Sequence, residues 1–270
     1  MDCYRFEKRT FDKGFLDDAI DATFIIHLDG NGRLEHINYE LTKYHPSKTV
    51  YILFNKGYKN CVKPTHVQNP PSDLVDAYMT IMKYAEKKNY KNILILEDDF
   101  IFDEQVLNVE HAKHISEFVN SNDNSSFVYL LGCLPIIQVP ISYYTRYTPI
   151  NASTHAVIYS EACRKNLLTI NHNIGDWDLF LTTHFTQYMY YKPLCYQLFP
   201  VTENQKHWPY FMGITELAFL YFYIFDMDKT PYPGFTNLYT FSFLFFFMIL
   251  LFLFIFIKQL HRRYSSEYFV

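Results

Sequence analysis

Three adjacent carboxylates, Glu97-Asp98-Asp99, form the segment of this sequence that is best suited to chemistry. They directly follow residues 92–96 (NILIL), a continuous apolar run that is typical of a central parallel strand covered on both faces. In open α/β sheets, ligands bind beyond the carboxyl ends of the strands. Adjacent carboxylates repel one another unless a cation offsets the repulsion, and oxygen-only ligands suit Mn²⁺ or Mg²⁺ bound together with substrate phosphates. This acidic cluster therefore indicates either a divalent-metal site or a solvated acidic loop.

The elements that position the cluster alternate along the chain. Short apolar runs predict strands, and stretches with apolar residues at helical spacing predict the helices between them. This alternation predicts an α/β fold with a mostly parallel sheet flanked by helices. The predicted strands are residues 23–28, 50–55, 92–96, 127–131, 155–159 and 189–194, and the predicted helices begin at Ser72, Val109 and Ser160.

The C-terminal region predicts a membrane segment. Residues 238–257 (LYTFSFLFFFMILLFLFIFI) carry no charge, proline or glycine, and a bilayer core of about 30 Å needs about twenty such residues as a helix. We assign 238–258 to a transmembrane helix and 259–270 to a basic tail, which favours the cytosolic side. The preceding aromatic connector, 210–237, contains a core helix, an interfacial helix or the first arm of a membrane hairpin. The anchor is thus single-pass or a hairpin.

The remaining divisions and exclusions come from composition. Residues 1–20 are assigned to an N-terminal extension and residues 21–209 to the main domain. The formal net charge is −4, and no Lys/Arg run is interleaved with aromatic residues, so nucleic-acid binding is not expected.

The five cysteines are widely spaced and form no C-x-x-C pair, so they signal neither a zinc site nor a redox motif. We expect them to be unpaired thiols in a reducing compartment, with the main domain facing the cytosol. A lumenal domain is the alternative, because it suits the basic tail. Asn124 and Asn151 head glycosylation sequons that matter only in that alternative.

The acidic cluster, with the strand before it and residues 100–102 after it, resembles the metal-binding motif of glycosyltransferases with the GT-A fold. It is most similar to family 25, which includes collagen and lipopolysaccharide galactosyltransferases. Residues 155–160, 176–178 and 191–197 resemble later segments of that family, so the resemblance spans about residues 23–208. The family's arginine-rich turn after the first strand is reduced here to a single arginine, Arg33.

The resemblance implies a membrane-anchored, metal-dependent transferase that moves a sugar from a nucleotide-sugar donor, such as a UDP-sugar, to a hydroxyl on a protein, glycan or lipid-linked acceptor. It would be a hexosyltransferase, such as a galactosyl- or glucosyltransferase, using Mn²⁺ or Mg²⁺. Asp99 would bind the metal, and Glu97 and Asp98 would contact metal, ribose or sugar. The remaining implied residues are His207 as a further metal ligand and Arg33 and Arg146 as donor-binding residues.

Asp176 and Asp178 flank Trp177 ahead of a short apolar helix. Either carboxylate could deprotonate the acceptor hydroxyl, which typically contributes ~10²–10⁴-fold to rate, while Trp177 stacks on a sugar ring. The alternative for Asp176 is a helix cap. The sequence does not choose between the two carboxylates.

Two other functions compete with the transferase. A catalytically degenerate, membrane-tethered binding module with a transferase fold would keep the same motifs without turnover. Residues 226–230 (DMDKT) imitate the nucleophile motif of haloacid-dehalogenase-type phosphatases, but only a membrane segment and a basic tail follow them, whereas such an enzyme needs a domain there. We therefore take that match to be accidental.

Overall fold

The computed structural model describes residues 2–170, 174–199 and 213–267, except for the side chains of 214 and 263–267. Its centre is a nine-stranded sheet in the order β1-β3-β2-β4-β9-β6-β10-β8-β7, beside a two-stranded sheet of β5 and β11. The strands are β1 (Tyr4–Thr10), β2 (Ala22–Leu28), β3 (Thr49–Asn55), β4 (Ile93–Glu97), β5 (Phe100–Phe102), β6 (Phe127–Pro135), β7 (Val139–Pro140), β8 (Thr145–Tyr147), β9 (Asn151–Tyr159), β10 (Thr186–Tyr190) and β11 (Cys195–Gln197).

Helices cover both faces of the large sheet, as an α/β fold requires. They are α1 (Leu34–Lys43), α2 (Pro70–Lys87), α3 (Val109–Ser121), α4 (Glu161–Leu168), α5 (Trp177–His184), α6 (Ile214–Ile224) and α7 (Pro231–Glu267), with a short 3₁₀ helix at Glu104–Leu107. Apolar residues of α2, α4, α5 and the first turns of α7 form one core, and those of α1 and α3 form the other.

The sheet is mixed, so the prediction of a mostly parallel sheet is wrong. Among the described strands, three neighbouring pairs of the large sheet are parallel (β2–β3, β2–β4 and β6–β10) and five are antiparallel. The main cause is β9, which lies antiparallel between β4 and β6. Local apolar patterns predict that a strand exists but do not fix the direction in which it enters the sheet.

The N-terminal segment belongs to the sheet rather than to an extension. β1 pairs antiparallel with β3 over its whole length, from Tyr4↔Asn55 to Thr10↔Thr49. Its sequence, YRFEKRT, begins with alternating aromatic and charged residues and continues with charged ones, and none of its residues is fully buried, as expected for an edge strand. The domain therefore begins before residue 21.

The start of α2 also differs from the prediction in a small way. Asn69 caps the helix by accepting a hydrogen bond from the Ser72 amide, and the Ser72 side chain completes a capping box. Two prolines occupy the first helical turn, where missing amide protons cost nothing. The helix therefore begins at Pro70, two residues before the predicted start at Ser72.

One C-terminal helix is long and apolar enough to span a membrane. Within α7, the stretch Pro231–Arg262 contains an 18-residue window with a mean hydropathy of 2.9, and 6% of that window is buried. The helix begins seven residues before the predicted span, and its first turns pack into the domain through Phe235 and Tyr239. By contrast, α6 has eleven residues, about 16 Å of helix, which is too short to be the first arm of a membrane hairpin.

Two of the five cysteines are paired, contrary to the expectation that all are free. Cys3, just before β1, forms a disulfide with Cys61 in the loop after β3. The three free thiols, Cys133, Cys163 and Cys195, are all buried. Since disulfides persist in oxidising compartments, this pair removes one of the reasons for placing the domain in the cytosol.

Candidate active site

Four strand ends meet at the site. β2 and β4 are parallel, so Leu28 and Glu97 end at the same edge of the sheet. β9 is antiparallel to β4, so its first residues lie at this carboxyl edge as well. The pairing of β11 with β5 brings Gln197 opposite Phe100, next to the acidic cluster.

The approach of β11 depends on Gly132 in β6. A Cβ atom at this position would lie 1.8 Å from the carbonyl oxygen of Cys195 and 2.6 Å from Nε2 of His155. Any side chain there would push β11 away from the sheet. Glycine thus allows the contact that places Gln197 in the site.

Asp98 is held by four donors. Its Oδ2 accepts from the Asn31 amide (2.6 Å), the Leu28 backbone N–H (3.2 Å) and Nδ1 of His27 (3.2 Å), and its Oδ1 accepts from Nη1 of Arg33 (2.7 Å). Burial alone would raise the pKa of Asp98, but the His27 hydrogen bond, the Arg33 charge and the Asn31 hydrogen bond together lower it. Asp98 is therefore an ionised anchor for the turn after β2.

Asp99 is bonded much less well. Its carboxylate oxygens lie 3.3 and 3.4 Å from Nε2 of Gln197 and 3.3 Å from Nη1 of Arg33. Burial, followed by the charge of Asp98, raises the pKa of Asp99 to about 7, although Arg33 and Gln197 oppose the rise. The pKa of Glu97 is also well above its ordinary value, because of burial and then the charges of Asp99 and Asp178. Negative charge at these two carboxyls is thus incompletely balanced.

A second carboxylate site lies across from Glu97. The Tyr78 hydroxyl lies 2.9 Å from Oε1 of Glu97 and 3.1 Å from the carbonyl oxygen of Thr154. Asp178 accepts from the Thr154 hydroxyl (2.6 Å) and from the Ser153 amide (2.7 Å). Tyr78 and Thr154 therefore connect the acidic cluster to Asp178 through a continuous chain of contacts.

Asp178 is suited to receive a proton near neutral pH. Burial raises its pKa to about 6; the Thr154 hydrogen bond opposes the rise and the charge of Asp176 adds to it. Ser153, which donates to Asp178, has a φ of 67°. Such left-handed conformations are uncommon for residues other than glycine and cluster at functional sites.

The neighbouring residues of α5 are used structurally. Asp176 caps the helix by accepting from the Leu179 amide at 2.8 Å. Trp177 is 3% exposed, stacks on the Tyr78 ring at 4.6 Å and donates from Nε1 to the Tyr159 hydroxyl. A ring covered in this way is not placed to stack on a sugar, so the expected role of Trp177 does not fit its position.

One further predicted residue, Arg146, is not brought to the cluster. Arg146 lies on β8, which β9, β6 and β10 separate from β4, so four strand spacings put it roughly 19 Å away. Its guanidinium instead lies over the Phe243 ring of α7, at 4.5 Å. His207 lies outside the described residues. Of the predicted donor-binding arginines, only Arg33 reaches the site.

Several residues of the site were not predicted from the sequence. His27 and Asn31 stand at the end of β2, where the rule about carboxyl ends of strands could have identified them. Tyr78, Ser153 and Thr154 have no local signal, because they reach Glu97 and Asp178 only through tertiary packing. Gln197 was included only as the last residue of 191–197, a segment that resembles the family.

The donor atoms fit a hard divalent cation in part. Glu97 and Asp99 supply oxygen ligands whose mutual repulsion a cation would relieve. In the parts of the chain that the structure describes, no group of three or more His, Cys, Asp or Glu side chains surrounds a common point. Mg²⁺ and Mn²⁺ bound with a nucleotide need only one or two protein carboxylates, since phosphates and water complete the shell.

A cleft lies at the same edge, where the loop after β3 is found. Residues 56–68 line it, including Lys56, Lys59 and Lys63. Lys63 is already committed to Asp73 and Asp76. Lys56 and Lys59 form no ion pair within the described residues, so they leave positive charge beside the cleft.

Comparisons with known proteins give only distant similarities. No protein-family model and no curated protein matches the chain. Among solved structures, it is similar to A197 from STIV, with a TM-score of 0.40 and 14% identity over 67% of this chain and 86% of that one. It is also similar to a glycosyltransferase involved in the glycosylation of the major capsid of PBCV-1, with a TM-score of 0.35 and 12% identity over 61% and 75%. At these scores the similarities assign neither a family nor an activity.

Proposed function

We propose that this chain is a membrane-anchored, metal-dependent glycosyltransferase that moves a sugar from a nucleotide-sugar donor to a hydroxyl acceptor. One observation carries the proposal: at one edge of the sheet, three carboxylates face one guanidinium, and a fourth carboxylate, Asp178, is connected to them through Tyr78 and Thr154. A surplus of buried oxygen ligands beside a separate base is what a diphosphate leaving group and a hydroxyl nucleophile require.

The carboxylates of the acidic cluster would have two different roles. Asp99, together with Glu97, would hold Mn²⁺ or Mg²⁺, which supplies Lewis-acid stabilisation of charge on the departing diphosphate when bound. Asp98 fixes the Arg33 guanidinium at this edge, where it can contact the same diphosphate. The pairing of Arg33 with Asp98 also explains how three acids coexist before a substrate arrives.

Asp178 would act as the general base. It takes the proton of the acceptor hydroxyl while that oxygen forms a bond to the anomeric carbon. The bond between that carbon and the diphosphate oxygen breaks, and its electron pair leaves with the nucleoside diphosphate. With a pKa of about 6, Asp178 is mostly ionised at neutral pH and is a stronger base than an ordinary carboxylate. A base available to the acceptor favours inversion at the anomeric carbon.

The finer assignments rest on the family-25 resemblance alone. They are a UDP-sugar donor, transfer of a hexose such as galactose or glucose, and a protein, glycan or lipid-linked acceptor. Membrane attachment rests on the length and composition of α7. For orientation we favour the oxidising side for the domain, because the Cys3–Cys61 disulfide and the basic residues after the span agree on it.

The second candidate is a binding module that has lost turnover. The observation that favours it is the contact of Arg33 with both Asp98 and Asp99, which neutralises part of the cluster without a metal. Such a module would bind a nucleotide sugar or its acceptor and leave both unchanged.

Nucleotide release separates the two candidates. We would incubate the purified full chain with a panel of nucleotide sugars in Mn²⁺, Mg²⁺ or EDTA and measure the free nucleotide. An active transferase releases nucleotide from one class of donor, and EDTA or Asp99→Asn abolishes the release. Asp123→Asn, at an exposed acid paired with Lys91, is the matched control and retains it. Donor binding without release from any donor would support the binding module and refute the transferase.

A further inference from the structure

We propose that the β7–β8 hairpin, residues 139–147, is embedded in the interface of the bilayer that α7 spans. The inference rests on α7 crossing a membrane, as proposed above, and is independent of the transferase chemistry. Three observations on different residues support it: the length of α7 left free of the domain, the level at which the hairpin region meets the helix, and the apolar side chains exposed there.

The free part of α7 is too short to cross a bilayer by itself. The domain contacts the helix as far as Phe243, and residues 244–257 give fourteen apolar residues, or about 21 Å of helix. Adding residues 258–260 gives about 26 Å, still short of the ~30 Å hydrocarbon core. A tilted helix needs more residues rather than fewer. Residues near 238–243 must therefore lie at the membrane boundary.

The β7–β8 hairpin and Gln138, the residue before it, contact α7 at residues 239–243. Nε2 of Gln138 donates to the carbonyl oxygen of Tyr239 (2.8 Å) and to the Ser242 hydroxyl (2.7 Å). The Arg146 guanidinium lies over the Phe243 ring. The depth of residues 239–243 in the membrane therefore sets the depth of the hairpin. The guanidinium of Arg146 then lies at the level of the lipid phosphates, with which it can pair.

The exposed surface of the hairpin region is apolar. Four large apolar or aromatic side chains in the hairpin or just outside it are exposed, namely Ile136 (51%), Ile141 (57%), Tyr143 (75%) and Ile150 (45%). Tyr143 at the tip is the type of residue enriched at membrane–water interfaces. Aliphatic and aromatic side chains on a free sheet edge are otherwise an aggregation hazard, which contact with lipid removes.

Four backbone amides of the turn are already bonded internally. The amides of Ile141 and Ser142 donate to the Thr145 carbonyl, and those of Tyr144 and Thr145 donate to the Ser142 hydroxyl. Nη1 of Arg146 donates to the Ser142 carbonyl at 2.8 Å. Since unsatisfied amides are what excludes turns from apolar surroundings, this turn can enter the interface at low cost.

Depth-dependent fluorescence quenching tests the proposal in the full chain. The variants Tyr143→Trp, Val62→Trp and Phe252→Trp are each reconstituted in vesicles of phosphatidylcholine with or without bromine on the acyl chains, and the wild-type signal of Trp177 and Trp208 is subtracted. Val62 is 98% exposed in the loop after β3 and serves as the water-exposed control; Phe252 lies within the span. We expect brominated lipid to quench the added tryptophan in the hairpin variant and in the span variant, but not in the loop control.

The three variants separate the possible failures. If the span variant is quenched and the hairpin variant is no more affected than the loop control, the helix is in the membrane and the hairpin is not, which overturns the inference. A hairpin covered by a second copy or by another protein gives that same result. If the span variant is not quenched, α7 does not span the bilayer, and both the anchoring and the inference fail.

Discussion

The carboxyl edge of the sheet and the face that contacts α7 differ in how completely their polar side chains are hydrogen-bonded. At the carboxyl edge, Asp98 is fully bonded while its neighbour Asp99 accepts only long contacts, so charge is left over. At the α7 face, Nε2 of Gln138 makes both of its hydrogen bonds to the helix itself. The first region leaves negative charge incompletely balanced, and the second bonds the Gln138 amide to an apolar helix. The expected effects of mutations differ accordingly.

The largest effect should come from removing the α7 face entirely. Among the described residues, a chain that ends at Pro209 loses four buried large hydrophobic side chains, Phe222, Met227, Phe235 and Tyr239. At about 1.5–3 kcal/mol each, the loss is roughly 6–12 kcal/mol, comparable to the whole stability of a typical domain. We expect this chain to aggregate, whereas a chain that ends at Phe243 keeps the four side chains and stays folded. Size-exclusion chromatography and thermal melting followed by circular dichroism check both. A well-folded product ending at Pro209 would show that α6 and α7 are not part of the core.

The second-largest effect should come from replacing Asp178 in α5. Asp178→Asn should lower turnover on acceptor by ~10²–10⁴-fold while donor binding persists, because only the base is lost. Asp176→Asn is the matched control, since asparagine is as good a helix cap as aspartate. Steady-state kinetics with calorimetric donor binding measures both variants. Equal and mild losses in the two would assign Asp178 to packing.

The pH dependence gives a smaller effect at the same residue. A base with a raised pKa of about 6 is protonated below that pH, so activity should fall about tenfold per pH unit on the acid side. The alkaline side should be flat for this group. With Mn²⁺ saturating, so that protonation of Asp99 does not limit activity, this fall at acid pH should be absent from whatever activity remains in Asp178→Asn. An acid limb near pH 4 in the wild type would mean that another carboxylate serves as the base.

The substitutions with the smallest expected effect on the protein test on which side of the membrane the domain lies. Asn124 is exposed after α3, whereas Asn151 is 6% exposed and donates to Gln187 at 2.9 Å. If the domain faces a glycosylating lumen, Asn124 alone should carry a glycan. Asn124→Gln would then abolish a gel shift that Asn151→Gln leaves in place. Absence of any shift, together with free thiols at Cys3 and Cys61 in sealed microsomes, would return the domain to the cytosol.

The sequence predicted the parts of this fold that are encoded locally. Apolar runs located β2, β3 and β4, and the strand-end rule placed the acidic cluster at its edge. β1 was not predicted because it is rich in charged residues and has no apolar run, and the antiparallel direction of β9 was not predicted because strand direction depends on distant pairing. The partners of Asp98 come from β2 and the turn after it, and the contact of Gln197 with Asp99 comes from β11. These contacts depend on sheet order, which no short segment contains.

The most direct test of the central claim is the affinity of Mn²⁺ and a nucleoside diphosphate for Asp99→Asn, measured by titration calorimetry. The variant should keep its fold, because it removes a buried carboxyl whose charged form is disfavoured. We expect the wild type to bind the nucleotide far more tightly with Mn²⁺ than without, and we expect this enhancement to disappear in Asp99→Asn while Asp123→Asn retains it. Undiminished enhancement in Asp99→Asn would contradict the assignment of the acidic cluster as the metal site.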